Sequence, residues 1–208
     1  MLGLRSQIID RVLGVPLENS DYPGFMLGAF KTNVATQTAE HGVIYRPSIE
    51  GLGPTPLVRI NSACFTGDIF GDRRCDCSEQ LQVALTRMIT EPGLVIYHLH
   101  HDGRGLGYTA KLAAYKKMIE EKKDSFQATC ELANRADIRT YSSSVAILHS
   151  LGITRVRLLS NNPRKRYALE TNGIEVVETI GIVSTREDLH GYLLSKQLRQ
   201  GHLIHHNP

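Results

Sequence analysis

Three of the four cysteines, Cys64, Cys75 and Cys77, lie close together in the sequence, and Cys130 stands apart. An odd cluster of three is a poor disulfide framework, and where thiols stay reduced such a cluster points to metal binding or catalysis. Structural zinc takes four protein ligands, whereas a three-ligand site keeps one position for water. Cys64, Cys75 and Cys77 therefore read as a catalytic zinc site. Their neighbours Asp72, Arg73, Arg74, Asp76 and Glu79 are polar, which sets the cluster apart from buried, inert cysteines. Cys130, in Ala128-Thr129-Cys130-Glu131-Leu132, reads as simple filler.

Two loops carry groups suited to phosphate. His100-His101-Asp102-Gly103-Arg104-Gly105-Leu106-Gly107 follows an apolar run and opens a helical one. Its glycines allow close approach of backbone to a ligand, and helix N-terminal N–H groups and an Arg fork favour anions. Leu158-Leu159-Ser160-Asn161-Asn162-Pro163-Arg164-Lys165 sets a hydroxyl, two amides and two cations after a strand, where open α/β sheets bind ligands. A glycine-rich turn and a well-capped helix are the ligand-free alternatives. Beside a three-thiolate site, the two loops point to a metal hydrolase acting on a phosphorylated substrate.

The elements that must position these groups divide the chain in two. Runs at 25–30, 42–45 and 57–65 read as strands, with Pro23-Gly24, Gly51, Gly53-Pro54 and Pro56 as turns. From residue 78 helices and strands alternate. A helix capped by Ser78 carries Leu81, Leu85, Met88 and Ile89, and Glu91-Pro92-Gly93 ends it before the strand 94–97. Helices follow over 111–121 and 142–151, a strand over 156–159, a helix from Asn161-Asn162-Pro163 to Asn172-Gly173, a strand over 174–177 and a helix over 187–200. The expected fold is α/β: a mixed sheet with flanking helices, strand-rich over about 1–77 and α/β over about 78–200, forming a single domain over 1–208. The tail 202–208 is expected to fray.

Composition narrows the classes further. Lys plus Arg exceed Asp plus Glu by three, 24 against 21, with 41% apolar residues; this is an ordinary globular composition, too weakly basic to signal a nucleic-acid partner. The Lys116-Lys117 and Lys122-Lys123 pairs read as solvated helix faces. No apolar run approaches the roughly 18 residues of a membrane span. The start, Met1-Leu2-Gly3-Leu4-Arg5 with Asp10 and Arg11 behind it, lacks the layout of a secretory signal. A cytoplasmic protein without membrane contact is expected.

Taken together, Ser62-Ala63-Cys64-Phe65-Thr66-Gly67-Asp68, Arg74-Cys75-Asp76-Cys77 with Gln80-Leu81, Asp102 to Gly107, Ala136-Asp137-Ile138-Arg139 and Asn161 to Lys165 resemble the GTP cyclohydrolase II family in order and nearly in spacing, over about residues 57–180. The resemblance implies that Cys64, Cys75 and Cys77 hold zinc, and that hydrolysis at C8 of guanine opens the imidazole ring and releases formate and pyrophosphate, the first step toward riboflavin. It maps Asp137 to a general base and Arg139 to a nucleophile toward the α-phosphorus. Because a guanidinium is nearly always charged, electrostatic stabilisation by Arg139 weighs at least as heavily. Tyr115 matches a tyrosine near the reacting base. Arg59, Asn61, Ser62, Ala63, Asp102, Gly103, Arg104, Ser125, Ser160 and Lys165 align with positions that hold GTP, and Gln80 with one that reads guanine. Magnesium on the triphosphate and a homodimer are also implied.

The chain departs from that pattern in two places. Ala63 stands where the family has a glutamate, and His100-His101-Asp102 replaces Arg-Gln-Glu, exchanging a permanent cation for groups that titrate near pH 6.5. A specialised paralogue that opens another purine nucleotide, or stops after partial hydrolysis, is the alternative reading. A non-catalytic nucleotide or nucleic-acid binder with structural zinc is a third.

Overall fold

The computed structural model describes residues 6–34, 37–47, 51–134 and 137–184, with positions 186, 189, 193–194, 196–198 and 201 beyond them. Seven strands form one sheet in the order β1-β2-β3-β5-β4-β6-β7. β1 (Gln7–Pro16), β2 (Met26–Val34) and β3 (Gln37–Arg46) make an antiparallel meander. β3 then pairs antiparallel with β5 (Gly93–His98). β5, β4 (Leu57–Ser62), β6 (Arg155–Leu159) and β7 (Glu175–Ile180) pair in parallel. The expected mixed sheet is present, and helices cross over between its parallel strands: α1 (Cys77–Met88) between β4 and β5; α2 (Tyr108–Glu121), α3 (Ser125–Ala133) and α4 (Ser142–Ser150) between β5 and β6; and α5 (Pro163–Glu170) between β6 and β7.

The alternation of side chains along the central strands decides what reaches each face. Val58 and Ile60 of β4 join Leu94 and Ile96 of β5 against Ile147, Leu148 and Leu169. Leu57 and Val95 face the other way, onto Ala84, Leu85 and Met88 of α1. Strands covered on both sides read as continuous apolar runs, as buried parallel strands do. On β4 the α1 face continues from Leu57 through Arg59 and Asn61, so two polar side chains are delivered to the C-terminal edge of the sheet by strand parity alone.

Several boundaries differ from expectation for local reasons. Asp76, not Ser78, is the N-cap of α1, and its carboxylate makes no capping bond because Gln80 and Lys196 occupy it. β1 and α3 are additional elements. α3 opens with a capping box in which Asp124 accepts from the Phe126 and Gln127 N–H groups. Lys117 and Lys123 both pair with exposed Glu131, as solvated faces do. Of the helix expected over 187–200, positions 193–194 and 196–198 are helical. Positions 187–188, 190–192, 195 and 199–200, Ala136 and the tail 202–208 lie outside the described residues. Among the described residues no helix is long and apolar enough to cross a membrane.

Candidate active site

The three clustered cysteines converge where β4 ends and α1 begins. Their sulfurs all lie within 4.8 Å of one another, with Cys64 Sγ 3.5 Å from Cys75 Sγ. The chain reaches this arrangement through one wide helical turn, Phe65–Ile69, which brings the Gly67 N–H to 3.4 Å from Cys64 Sγ. A Cβ on Gly67 would stand 2.9 Å from Cys64 Sγ and 3.1 Å from Cys75 Sγ, so only glycine lets the turn close over the sulfurs. The Lys111 ammonium donates to Cys64 Sγ and to Asp102 Oδ1, both at 2.9 Å.

The three thiols differ in how readily each ionises. Hydrogen bonds from Cys75 and Cys77, then the Lys111 ammonium, drive the Cys64 thiol far down. Its bond to Cys64 pushes Cys75 up to about 11, and Cys64 and Cys75 push half-buried Cys77 well above its ordinary value. One thiolate is stabilised by two thiols, and only a cation would let all three ionise, with release of protons. Three sulfurs in a glycine-floored cradle fit zinc in number, softness and spacing.

A cleft of about 970 Å³, counted to its open mouth, extends from the sulfurs. Arg59, Arg104, Lys111, Arg139, Lys165 and Lys196 all line it, and such a wall favours a polyanion. Each cation is held by its own partners. Arg59 donates to Asn61 Oδ1 from Nε at 3.2 Å and from Nη2 at 3.1 Å, and to Gln80 Oε1 at 2.6 Å. Gln80 Nε2 in turn donates to Asp76 Oδ2. Lys165 Nζ donates to Ile60 O at 2.7 Å, and burial, then Arg59 and Arg139, hold its ammonium well below the usual lysine range. Arg104 donates to Ser125 Oγ at 3.0 Å.

Asp137 and Arg139 form a forked pair. Arg139 Nε donates to Asp137 Oδ1 at 2.9 Å and Nη2 to Oδ2 at 2.7 Å, while Arg164 approaches Oδ2 at 2.9 Å. Burial raises the Asp137 carboxyl, but the Arg139 fork outweighs it and holds the acid below its ordinary value. A carboxylate so held is a weak base and a firm orienter. Arg139 Nη1 reaches Ser62 Oγ at 3.2 Å, and so faces the end of β4. Burial keeps the Tyr115 hydroxyl protonated above the usual tyrosine range, and its ring lies under Arg74 at 5.3 Å and Lys111 at 5.9 Å.

Of the residues singled out by sequence, Cys64, Cys75, Cys77, Tyr115, Arg139, Arg59, Asn61, Ser62, Ala63, Gln80, Asp102, Gly103, Arg104, Ser125 and Lys165 share the cleft. Asp137 stands behind Arg139, outside the lining. Ser160 is also outside it: buried, its Oγ accepts the Asn162 N–H at 3.0 Å, a turn-forming role. Asp102 is occupied too, since Oδ1 accepts from Gly103 N–H and Lys111 and Oδ2 accepts from Phe65 N–H. The glycine loop serves the fold as well as any ligand: Gly103 and Arg104 are left-handed, and a Cβ on Gly105 would lie 3.0 Å from Ile138 Cγ1. The loop thereby seats the segment that carries Arg139, with Ile138 N–H donating to Arg104 O at 3.1 Å.

Sequence reasoning missed Lys111 and Lys196 as cleft residues, and His101, named there only as part of the loop, also lines the cleft. Lys111 had a signal, standing four residues before Tyr115 on one helix face. His101 is buried, with Nδ1 3.3 Å from Ser62 Oγ. Lys196 reaches Asp76 at 2.6 Å from far along the chain, a contact no local pattern announces.

The sheet, the converging thiols and the cation-lined cleft describe an α/β fold with a group of thiols able to hold a metal beside a cleft suited to an anion. Residues 11–181 match the pattern of GTP cyclohydrolase II, and the chain belongs to that family. It is 40% identical over 180 residues to the GTP cyclohydrolase-2 of Helicobacter pylori, covering 86% of this chain and 91% of that one. It is also 40% identical over 189 residues to the riboflavin biosynthesis protein RibBA of Phocaeicola vulgatus, and over 187 residues to that of Parabacteroides distasonis. Those matches cover 90% and 89% of this chain but 46% and 45% of the relatives, so the chain spans just under half the length of its RibBA relatives.

Proposed function

We propose that the chain is a zinc-dependent GTP cyclohydrolase II, hydrolysing GTP to formate, pyrophosphate and 2,5-diamino-6-(5-phosphoribosylamino)pyrimidin-4(3H)-one, the entry reaction of riboflavin biosynthesis. The observation that carries this reading is the convergence of Cys64, Cys75 and Cys77 at one end of a cleft walled by six Arg and Lys side chains. Zinc held by the three sulfurs would supply Lewis acidity toward water at the purine end.

The chain's own residues do the remaining work. Lys111 sets the charge beside Cys64, and Tyr115, still protonated, donates a hydrogen bond to the reacting base or the attacking water. Arg59, Arg104 and Lys165 bind the phosphates, with magnesium held by phosphate oxygens and water. Arg139, aimed by Asp137, stabilises charge developing at the α-phosphorus. Gln80 reads guanine by exchanging one of its two amide bonds, to Arg59 or to Asp76, for one to the base. This reading treats 1–208 as a single cytoplasmic domain working as a homodimer. The exposed apolar Ile9, Val12 and Val15 of outer strand β1 supply a strip for the second copy; sedimentation as a 23 kDa species would remove that element.

The test is to incubate zinc-loaded protein with GTP and magnesium, with formate and pyrophosphate quantified separately and the nucleotide product identified by mass spectrometry. Equal release of both is expected. Pyrophosphate without formate, or turnover only with another purine nucleotide, would instead favour the specialised paralogue to which Ala63, lining the cleft without a carboxylate, points.

A further inference from the structure

We propose that His41, His98 and His100 form a second site for a divalent metal ion, separate from the cysteine trio and directed to the opposite face of the sheet. The register creates the cluster. His41 of β3 and His98 of β5 are direct cross-strand partners, and they share the parity of Val43, Leu94 and Ile96, which face α4. Tyr97, one residue along, emerges on the other face and donates to Asp68 beside the cysteines. One ring nitrogen from each of the three histidines lies within 4.8 Å of the other two. The rings meet edge to face, with centroids 4.6 Å apart for His41 and His98, 5.2 Å for His41 and His100, and 5.7 Å for His98 and His100.

The hydrogen bonding separates this cluster from an ordinary set of core histidines. His41 Nε2 lies 2.8 Å from Thr32 Oγ1, and His98 Nε2 lies 2.6 Å from Ser144 Oγ. Thr32 Oγ1 is in turn 2.9 Å from Ser143 Oγ, an onward acceptor for its proton. The other nitrogens, His41 Nδ1 and His98 Nδ1, are buried without a hydrogen-bond partner among the described residues. A proton on Nδ1 would leave a buried N–H with nothing to donate to, a costly arrangement. With the proton on Nε2, each ring donates to its hydroxyl partner and keeps a bare lone pair on Nδ1. An imidazole fixed through one nitrogen and open at the other is the arrangement of a metal-bound histidine.

The donor set defines the ion. Three imidazoles without a carboxylate or thiolate suit zinc, nickel, cobalt or copper(II) rather than magnesium or calcium. At metal–nitrogen distances of about 2.0–2.1 Å the three nitrogens must draw closer together, and His100, exposed at the surface, makes the larger movement. Three protein ligands leave the remaining position to solvent on that side. An ion held there would tie β3 to the loop beyond β5. It would also brace His101, which stacks on His98 at 4.3 Å and lines the cleft.

The test counts metal, not turnover. Full-length protein is loaded with zinc, stripped of loosely held ion on a chelating column, and its zinc per chain is measured by inductively coupled plasma mass spectrometry. A second equivalent is expected in the wild type and a single one in His100→Ala, a surface substitution outside the cleft lining. The double variant His205→Ala/His206→Ala, which removes tail imidazoles, is expected to retain both. In cobalt-loaded protein, Cys75→Ser should lose the sulfur-to-metal charge-transfer band and keep the visible bands of a nitrogen-ligated ion, and His100→Ala should do the reverse. A single equivalent in the wild type, two in His100→Ala, or loss of the second with the tail histidines would each overturn the proposal.

Discussion

Adding one methyl group at Gly67 tests the proposed metal site without replacing any of its three cysteines. The Cβ of Gly67→Ala would stand 2.9 Å from Cys64 Sγ, 3.1 Å from Cys75 Sγ and 3.4 Å from Cys77 Cβ. Comfortable contact begins near 3.5 Å, so Cys64 Sγ must withdraw by roughly 0.6 Å. Without metal, rotation of a cysteine side chain relieves the clash. With metal it cannot, because ligand distances hold to within about 0.2 Å. The strain therefore falls on the metal-bound form. Overpacking of this kind costs about 1–3 kcal/mol, equivalent to a zinc affinity weaker by roughly 5- to 150-fold at 1.4 kcal/mol per factor of ten. Competition against a chromophoric chelator measures it directly, with circular dichroism confirming that the variant stays folded. A folded Gly67→Ala protein that holds zinc within about twofold of wild type would refute the reasoning from the cradle to the metal.

Three further outcomes follow from the cleft. Burial, Arg59 and Arg139 hold the Lys165 ammonium low, so phosphate oxygens arriving beside it favour the protonated form. A non-hydrolysable GTP analogue should take up protons on binding in mildly alkaline solution, seen as a binding enthalpy that changes with buffer. Lys165→Met should abolish the uptake, and proton release in the wild type would contradict the assignment. Asp137→Asn removes one charge from a pair whose side chains are 14% and 9% exposed. Stability should fall by about 1–3 kcal/mol, and kcat should fall roughly 10- to 100-fold as Arg139 loses its aim, with KM for GTP little changed; an unchanged kcat rules out the positioning role. Ser160→Ala loses only the bond to the Asn162 N–H. Thermal unfolding should show about 0.5–1.5 kcal/mol less stability at constant KM, and a raised KM would put the hydroxyl on the substrate.

What the sequence made legible is what short-range periodicity controls. The spacing of Cys75 and Cys77 just ahead of a helix sets both sulfurs at its start, whereas Arg59 and Asn61 were marked only by the family resemblance, and the parity along β4 that sends them to one face is seen in the structure. The cap of that helix was less legible because Asp76 and Ser78 are equally good capping residues by type, and closing the sulfur cluster draws Cys77 into the first helical position and leaves Asp76 as the cap. β1 gave little pattern because it is an edge strand exposed along nearly its whole length, with no buried face to impose alternation. α3 had a visible signal in Asp124 and Gln127, the ends of a capping box, three residues apart.

The glycine loop shows where local reading meets its physical boundary. Three glycines after a strand are chemically suited to a phosphate, and Arg104 and Gly103 do line the cleft. Yet Gly105 is needed for a different neighbour, since its missing side chain lets the backbone lie against Ile138 and Arg139, residues more than thirty positions away in sequence. The left-handed Arg104, at φ 61°, is a conformation disfavoured for a residue with a side chain, and it is held by the bonds from its guanidinium to Ser125 and from Ile138 N–H to its carbonyl. The same turn therefore binds and builds: it presents Arg104 to the cleft on one side and fixes the segment of Arg139 on the other. A substitution at Gly105 should accordingly disturb Arg139 before it disturbs any phosphate contact. With Gly105→Ala, kcat is expected to fall while KM for GTP holds, and a rise in KM alone would show that the glycine serves the ligand directly.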